Sequence, residues 1–165
     1  MRGDFPVLFD TNVYIGILLA SDSNKKYLRQ VLISTFPEFR CAVVFHELIR
    51  GAAYGREARI SSYQHSDLKF NNFLVESPNW QDWRNAAYSI SEVFRREAHR
   101  KTVNNLRKAT NDALIATMAL RTESTLITQD NDYDYLKTSQ RLKHLKVMDV
   151  QNLLGKIGVD YAKYK

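Results

Sequence analysis

Pro6-Val7-Leu8-Phe9-Asp10-Thr11-Asn12, followed by the apolar run from Val13 to Ala20, is the stretch on which the reading of this chain turns. A short apolar segment bounded by proline and a polar triplet reads as a buried strand. The run behind it has helical length, and Thr11 or Asn12 can cap it by accepting a backbone N–H. Asp10 then stands at the carboxyl end of a strand, where open α/β sheets place their ligand crevice. One acid in that position carries little weight, since aspartate caps helices in many folds. The weight comes from repetition of the arrangement further along.

Working outward, Ser23-Asn24 caps a second helical pattern carrying Tyr27, Leu28, Val31 and Leu32, which ends before Pro37. Cys41-Ala42-Val43-Val44 is expected to be a second buried strand. It runs into a helix at Phe45-His46-Glu47-Leu48-Ile49-Arg50-Gly51, with Glu47 in its first turns. Ser61 to Val75 reads as mixed and helical. Ser77-Pro78-Asn79 breaks the chain and caps the longest helical pattern, in which Trp80, Trp83, Ala87, Ile90 and Phe94 form one apolar stripe. Helical spacing alone accounts for both tryptophans, so they are expected in the core. Thr110-Asn111-Asp112 reads as the cap of a helix from Ala113 to Arg121. Thr125-Leu126-Ile127-Thr128 is a third strand, ending at Gln129-Asp130-Asn131-Asp132-Tyr133, and Lys146-Val147-Met148 a fourth.

Strands separated by helical patterns imply βαβ units: an α/β fold with a mostly parallel central sheet of about four to five strands and helices on both faces. A single domain over 1–165 is expected, with a helical arm at about 59–108 projecting from the sheet. A composition 44% hydrophobic and 25% charged is that of a globular chain and not a disordered one. The lone Cys41 excludes an internal disulfide and suits a reducing compartment. No segment approaches the ~20 apolar residues of a membrane span, so the chain is read as cytoplasmic, with no membrane partner. A net charge of +6 favours an acidic partner such as nucleic acid. Arg95, Arg96, Arg100, Lys101, Arg107 and Lys108 are its candidate contacts, although charged residues beyond a core stripe are often just a solvated face.

Parallel strands put their carboxyl ends on one edge, so Asp10, Glu47 and Asp130 share it, and Asp112, at the start of a helix running back, joins them. Singly, each acid has a structural reading: a helix cap for Asp10 and Asp112, a surface group for Glu47, a turn former for Asp130. Together they make a crevice of like charges that must protonate or take up a cation. Oxygen ligands with no histidine or cysteine among them suit Mg²⁺ or Mn²⁺, and such sites perform phosphoryl chemistry. No Ser-His-Asp or Cys-His constellation and no glycine-rich phosphate loop is visible. Arg50, at i+3 from Glu47, can pair with that carboxylate or reach a phosphate.

These stretches resemble the motifs of PIN-domain ribonucleases, most closely the VapC-type toxins of prokaryotic toxin–antitoxin pairs. Leu8-Phe9-Asp10-Thr11-Asn12-Val13 is similar to the first acidic motif and Glu47-Leu48 with Gly51 to the second. Asn111-Asp112-Ala113-Leu114-Ile115-Ala116-Thr117 is similar to the third, and Leu126 through Tyr133 to the fourth. The resemblance implies a three-layer sandwich and an endoribonuclease dependent on one or two Mg²⁺ or Mn²⁺ ions. It also implies an RNA substrate, inhibition by a cognate antitoxin, and a homodimer. Carried over, Asp10, Glu47, Asp112 and Asp130 are the catalytic metal ligands, and Asn12, Thr128 and Asp132 support them from behind. Asp132 is expected to serve the N-terminus of the following helix. The chain departs from the pattern in Leu106-Arg107-Lys108-Ala109-Thr110, where a small hydrophobic motif is usual. The alternative readings are a catalytically inactive RNA- or partner-binding module of the same fold, or another acid-edged α/β class such as a receiver domain or an Asp-nucleophile phosphohydrolase.

Overall fold

The computed structural model describes residues 5–18, 23–53, 75–96 and 103–164. Five parallel strands form one sheet in the order β3-β2-β1-β4-β5. They are β1 (Val7–Phe9), β2 (Glu38–Cys41), β3 (Val75–Glu76), β4 (Thr125–Ile127) and β5 (Val147–Met148). The helices are α1 (Thr11–Val13), running into a π-helical turn over Tyr14–Leu18, then α2 (Ser23–Thr35), α3 (Ala42–Ala53), α4 (Trp80–Arg96), α5 (Val103–Arg121), α6 (Asp132–Leu136) and α7 (Val150–Gly155). The strand order steps outward from β1 in one direction through β2 and β3, and in the other through β4 and β5. Right-handed crossovers in opposite directions place the two sets of helices on opposite faces. The chain reverses its winding between β1 and β4, and such a switch point opens a crevice at the carboxyl ends.

The core is continuous and mostly aliphatic, with Phe9 and Tyr133 among its largest fully buried side chains. Val7, Leu8 and Phe9 of β1 and Leu126 and Ile127 of β4 are buried, because a parallel sheet covered on both faces leaves no solvent side. Helix α5 lies against β4 with Ala109, Ala113, Ala116 and Ala119 buried, small side chains that let it approach closely.

Four expectations are corrected. The second strand lies earlier than Cys41–Val44: β2 is Glu38–Cys41, and Ala42 already belongs to α3. An apolar run of four does not distinguish a buried strand from a buried helix face, and Val44 and Leu48 pack at helical spacing. In β2 the charged residues alternate: Glu38 accepts from the buried Tyr14 hydroxyl and from Arg40 Nε at 3.4 Å. Next, α1 is capped not by Thr11 or Asn12 but by Asp10 itself. Thirdly, Thr110-Asn111-Asp112 starts nothing. Asp112 sits inside the 19-residue α5, and the Thr110 hydroxyl bonds back to the Leu106 carbonyl at 2.7 Å, as threonine does within a helix.

Helix α4 is the fourth departure from expectation. Asn79 and Asp82 cap it reciprocally, the Asn79 N–H donating to Asp82 Oδ2 and the Asp82 N–H to Asn79 Oδ1, both at 2.9 Å. Its buried face is Asp82, Ala86, Ser89, Ile90, Val93 and Phe94, while Trp80 is 77% and Trp83 49% exposed. The tryptophans therefore flank the stripe and do not fill the core. Of the expected arm at 59–108, residues 59–74 and 97–102 lie outside the described residues. Within the remainder, Val75–Glu76 is a strand and α4 packs along α5.

Candidate active site

Strand β1 ends at a carboxylate held from several sides. Asp10 Oδ1 accepts the Thr11 N–H at 2.7 Å, and Oδ2 accepts from Thr128 Oγ1 at 2.8 Å and Asn12 Nδ2 at 2.9 Å. Leu8 and Phe9 register with Leu126 and Ile127, so the next pair along the ladder is Asp10 beside Thr128. Asn12 ties the same seam: Nδ2 donates to Thr128 Oγ1 at 3.0 Å, and Oδ1 accepts the Gln129 N–H at 3.1 Å. Asp10 is thereby oriented by both strands that border the switch point.

Glu47 comes from the second turn of α3. Its two carboxylate oxygens accept from Thr11 Oγ1 and Asn111 Nδ2, which link α3 to α1 and α5. Asn111, expected as part of a helix cap, instead holds Glu47 from its place beside Asp112. Arg50 makes no ion pair with Glu47. Asp112, 7% exposed, faces the same crevice, and its Oδ2 is buried with no hydrogen-bond partner. Burial, followed by the negative charges of Asp10 and Glu47, pushes the Asp112 carboxyl up to about 8, against an opposing pull from Lys108. Burial also raises Asp10, although its Thr128 and Thr11 hydrogen bonds work the other way.

Tyr133 of α6 is the residue that periodicity does not single out. It is buried, and its hydroxyl lacks a well-formed hydrogen bond while facing Asp10, Asp112 and Glu47. Burial and those three charges hold the phenol well above its ordinary value, so it remains a neutral donor aimed at acids.

Asp130 and Asp132 stand apart from this group. The Lys108 ammonium, on α5 one turn before Asp112, contacts Asp130 Oδ2 at 3.1 Å and also pairs with Asp132. The N–H of Asp132 donates to Asp130 Oδ1 at 3.0 Å, so Asp130 also serves the start of α6, while both acids pair with Lys108. Partial burial raises the Asp130 carboxyl, but the Asp132 N–H and Lys108 outweigh it and hold Asp130 below its ordinary value. Of the basic run, Arg96 pairs with Glu92 at 2.9 Å and donates to the Thr138 carbonyl, Arg95 donates to Ser91 Oγ at 3.4 Å, and Arg107 is exposed. Arg100 and Lys101 lie outside the described residues.

Among the described residues no three acids are gathered tightly enough to grip a cation by direct contacts alone. The donor set nevertheless fits a hard divalent ion. It is all oxygen, it includes a buried carboxylate oxygen without a partner, and Mg²⁺ retains several waters through which further acids can reach it.

A five-stranded parallel sheet with an acid crevice at its switch point defines a recognisable class of α/β domain. The PIN-domain family model matches residues 7–138, and the chain belongs to that family. Solved structures share the fold at low identity. VapBC2 from Rickettsia felis, bound to a DNA fragment from its promoter, is 17% identical with a TM-score of 0.55, covering 87% of this chain and 98% of that one. VapBC-1 from nontypeable Haemophilus influenzae is 23% identical with a TM-score of 0.55, covering 87% and 97%. DNA-bound VapBC from Salmonella typhimurium is 16% identical with a TM-score of 0.57, covering 88% and 98%. Among curated sequences none matches significantly.

Proposed function

We propose that the chain is a divalent-metal-dependent endoribonuclease, the toxin of a toxin–antitoxin pair. The observation that carries this reading is the meeting of Asp10, Glu47 and Asp112 at the switch-point crevice, with Asp112 Oδ2 buried and unpartnered. Asp10, Glu47 and Asp112 would hold Mg²⁺ or Mn²⁺, with Asp130 at the rim. When bound, the ion supplies an activated water and neutralises charge at the phosphate. The protein's own contribution is positional. Thr128 and Asn12 fix Asp10, Thr11 and Asn111 fix Glu47, and the Tyr133 hydroxyl offers a donor from below. Cys41 lies within reach of the charges of Asp10 and Glu47, but its thiol is buried against Met118 Sδ and pushed up to about 11, chiefly by burial, so water attack is the route the residues favour. It leaves a 5′-phosphate and a 3′-hydroxyl.

The family membership supports nuclease chemistry, and the VapBC likenesses support a cognate antitoxin as partner. The expected homodimer belongs to the same proposal and is read by sedimentation of the purified chain.

The test is incubation of mixed RNA with the protein in Mg²⁺ or Mn²⁺, and in excess chelator, with end-group analysis of the products. Asp10→Asn should lower kcat by at least ~10²-fold, as loss of an anchoring ligand disturbs both charge and geometry. Cleavage undiminished by chelator, or 2′,3′-cyclic phosphate ends, would sink the mechanism. RNA binding without cleavage under any metal would identify an inactive module instead.

A further inference from the structure

Lys108 was expected on the RNA-facing run, but its side chain is turned to the acids. It is the i−4 neighbour of Asp112 on α5, so both lie on one helix face, Lys108 one turn nearer the helix start. From there its ammonium bridges Asp130 and Asp132, across the connection that follows β4. Each of these contacts joins α5 to the segment 130–132, and no other basic side chain among the described residues pairs with those acids. The outer half of the crevice thus holds two carboxylates and one ammonium. The inner half holds Asp10, Glu47 and Asp112, which pair with no basic side chain among the described residues, and the positive charge of Lys108 bears on Asp112 as well.

We propose that Lys108 is a built-in cation that occupies the place of a second divalent ion, so that this crevice takes one metal and not two. The inference rests on the metal-dependent nuclease reading and deepens it. A carboxylate site binds a divalent cation by charge and by free oxygen lone pairs. At Asp130 and Asp132 the ammonium draws on both: it neutralises one of the two charges and uses one oxygen of each acid. Asp130 Oδ1 is further engaged by the Asp132 N–H. The inner three acids lack such a partner, so a divalent ion enters there first. An ammonium carries three N–H donors, two of which go to these acids, leaving one for a phosphate oxygen of the substrate. Lys108 is thereby a positioning residue for metal number.

The experiment is calorimetric titration of the full chain with Mn²⁺, on wild type, Lys108→Met and Lys108→Arg, each checked by thermal melt. Lys108 is solvent-exposed for over half its side chain, so both variants should fold. Wild type and Lys108→Arg should bind one Mn²⁺ per chain. Lys108→Met should bind two, and adding Asp130→Asn to it should return the count to one. A merely structural salt bridge would alter the melt and leave the count unchanged. One ion bound by both wild type and Lys108→Met, or two by wild type, overturns the inference and leaves the nuclease reading standing. No Mn²⁺ bound by any of them overturns that reading, and this inference with it.

Discussion

Asp112 is the residue at which burial and charge act most strongly. Its carboxyl is pushed up to about 8 in the folded chain from an ordinary value of 3.8. Between those values the folded state holds a proton that the unfolded state has released. The stabilisation from this group is therefore full below about pH 4 and is lost as pH rises towards 8. Asp10, raised in the same direction, adds to the trend. Thermal melts in chelator should show wild type losing several degrees between pH 5 and pH 8, and Asp112→Asn should flatten that slope. An identical slope in the variant would mean that the proton is held elsewhere. Metal binding requires the ionised acid, so a Mn²⁺ titration at pH 7 should release protons, measurable by repeating the calorimetry in buffers of different ionisation enthalpy. Tyr133 gives a second test at this scale. Tyr133→Phe preserves the packing and removes the hydroxyl that faces the acids, so it should change metal affinity or the pH profile of cleavage while moving the melting temperature little. If only the melt changes, the hydroxyl is a tolerated defect of the core. Asp10 and Asp112 can be picked out as candidates in the chain alone, since a strand end and an acidic motif announce them. Tyr133 cannot, because a buried phenol and a buried phenylalanine have the same periodicity.

Among the elements, α4 shows what periodicity leaves undecided. Its apolar residues read as a stripe through Trp80 and Trp83, yet the helix is rotated so that Ala86, Ile90, Val93 and Phe94 face inward. The rotation is fixed at the helix start by a buried carboxylate. Asp82 caps Asn79 and accepts from Arg121 Nε at 2.9 Å, and Arg121 also reaches Glu76 and the Ser77 carbonyl. Asp82→Ala removes a cap, worth ~0.5–2 kcal/mol, and also the partner of Arg121. A loss of ~2 kcal/mol corresponds to a fall of roughly 4–8 °C in Tm for a domain of this size. Mn²⁺ affinity should be unchanged, because α4 supplies no acid to the crevice. A variant that melts like wild type would show that the tryptophan face, and not the cap, sets the rotation. Helix α5 presents the opposite case. Its register continues from Ala109 through Ala113 and Ala116, and the polar triplet 110–112 rides within it.

The whole molecule combines a net charge of +6 with a crevice lined by acids. A polyanion approaching this chain is drawn by the basic exterior and meets the acids only where a cation offsets them. On the proposed ribonuclease reading, RNA binding should therefore weaken with salt, with a slope of about −0.7 per phosphate contacted on a single strand. Replacing Arg100 and Lys101 together by alanine should reduce that slope by about one to two if they contact the backbone. An unaltered slope removes them from the interface. What the sequence determined by itself was the alternation of strand and helix, and with it a parallel sheet whose carboxyl edge gathers acids. Those follow from local hydrophobic pattern and from the fixed direction of βαβ units. What only the tertiary structure decided was which groups meet across that edge: Asn111 with Glu47, Tyr133 with Asp10, Lys108 with Asp130 and Asp132. Such pairings depend on helix rotation and overhang, which are set by packing between elements distant in the chain, and no local pattern encodes them.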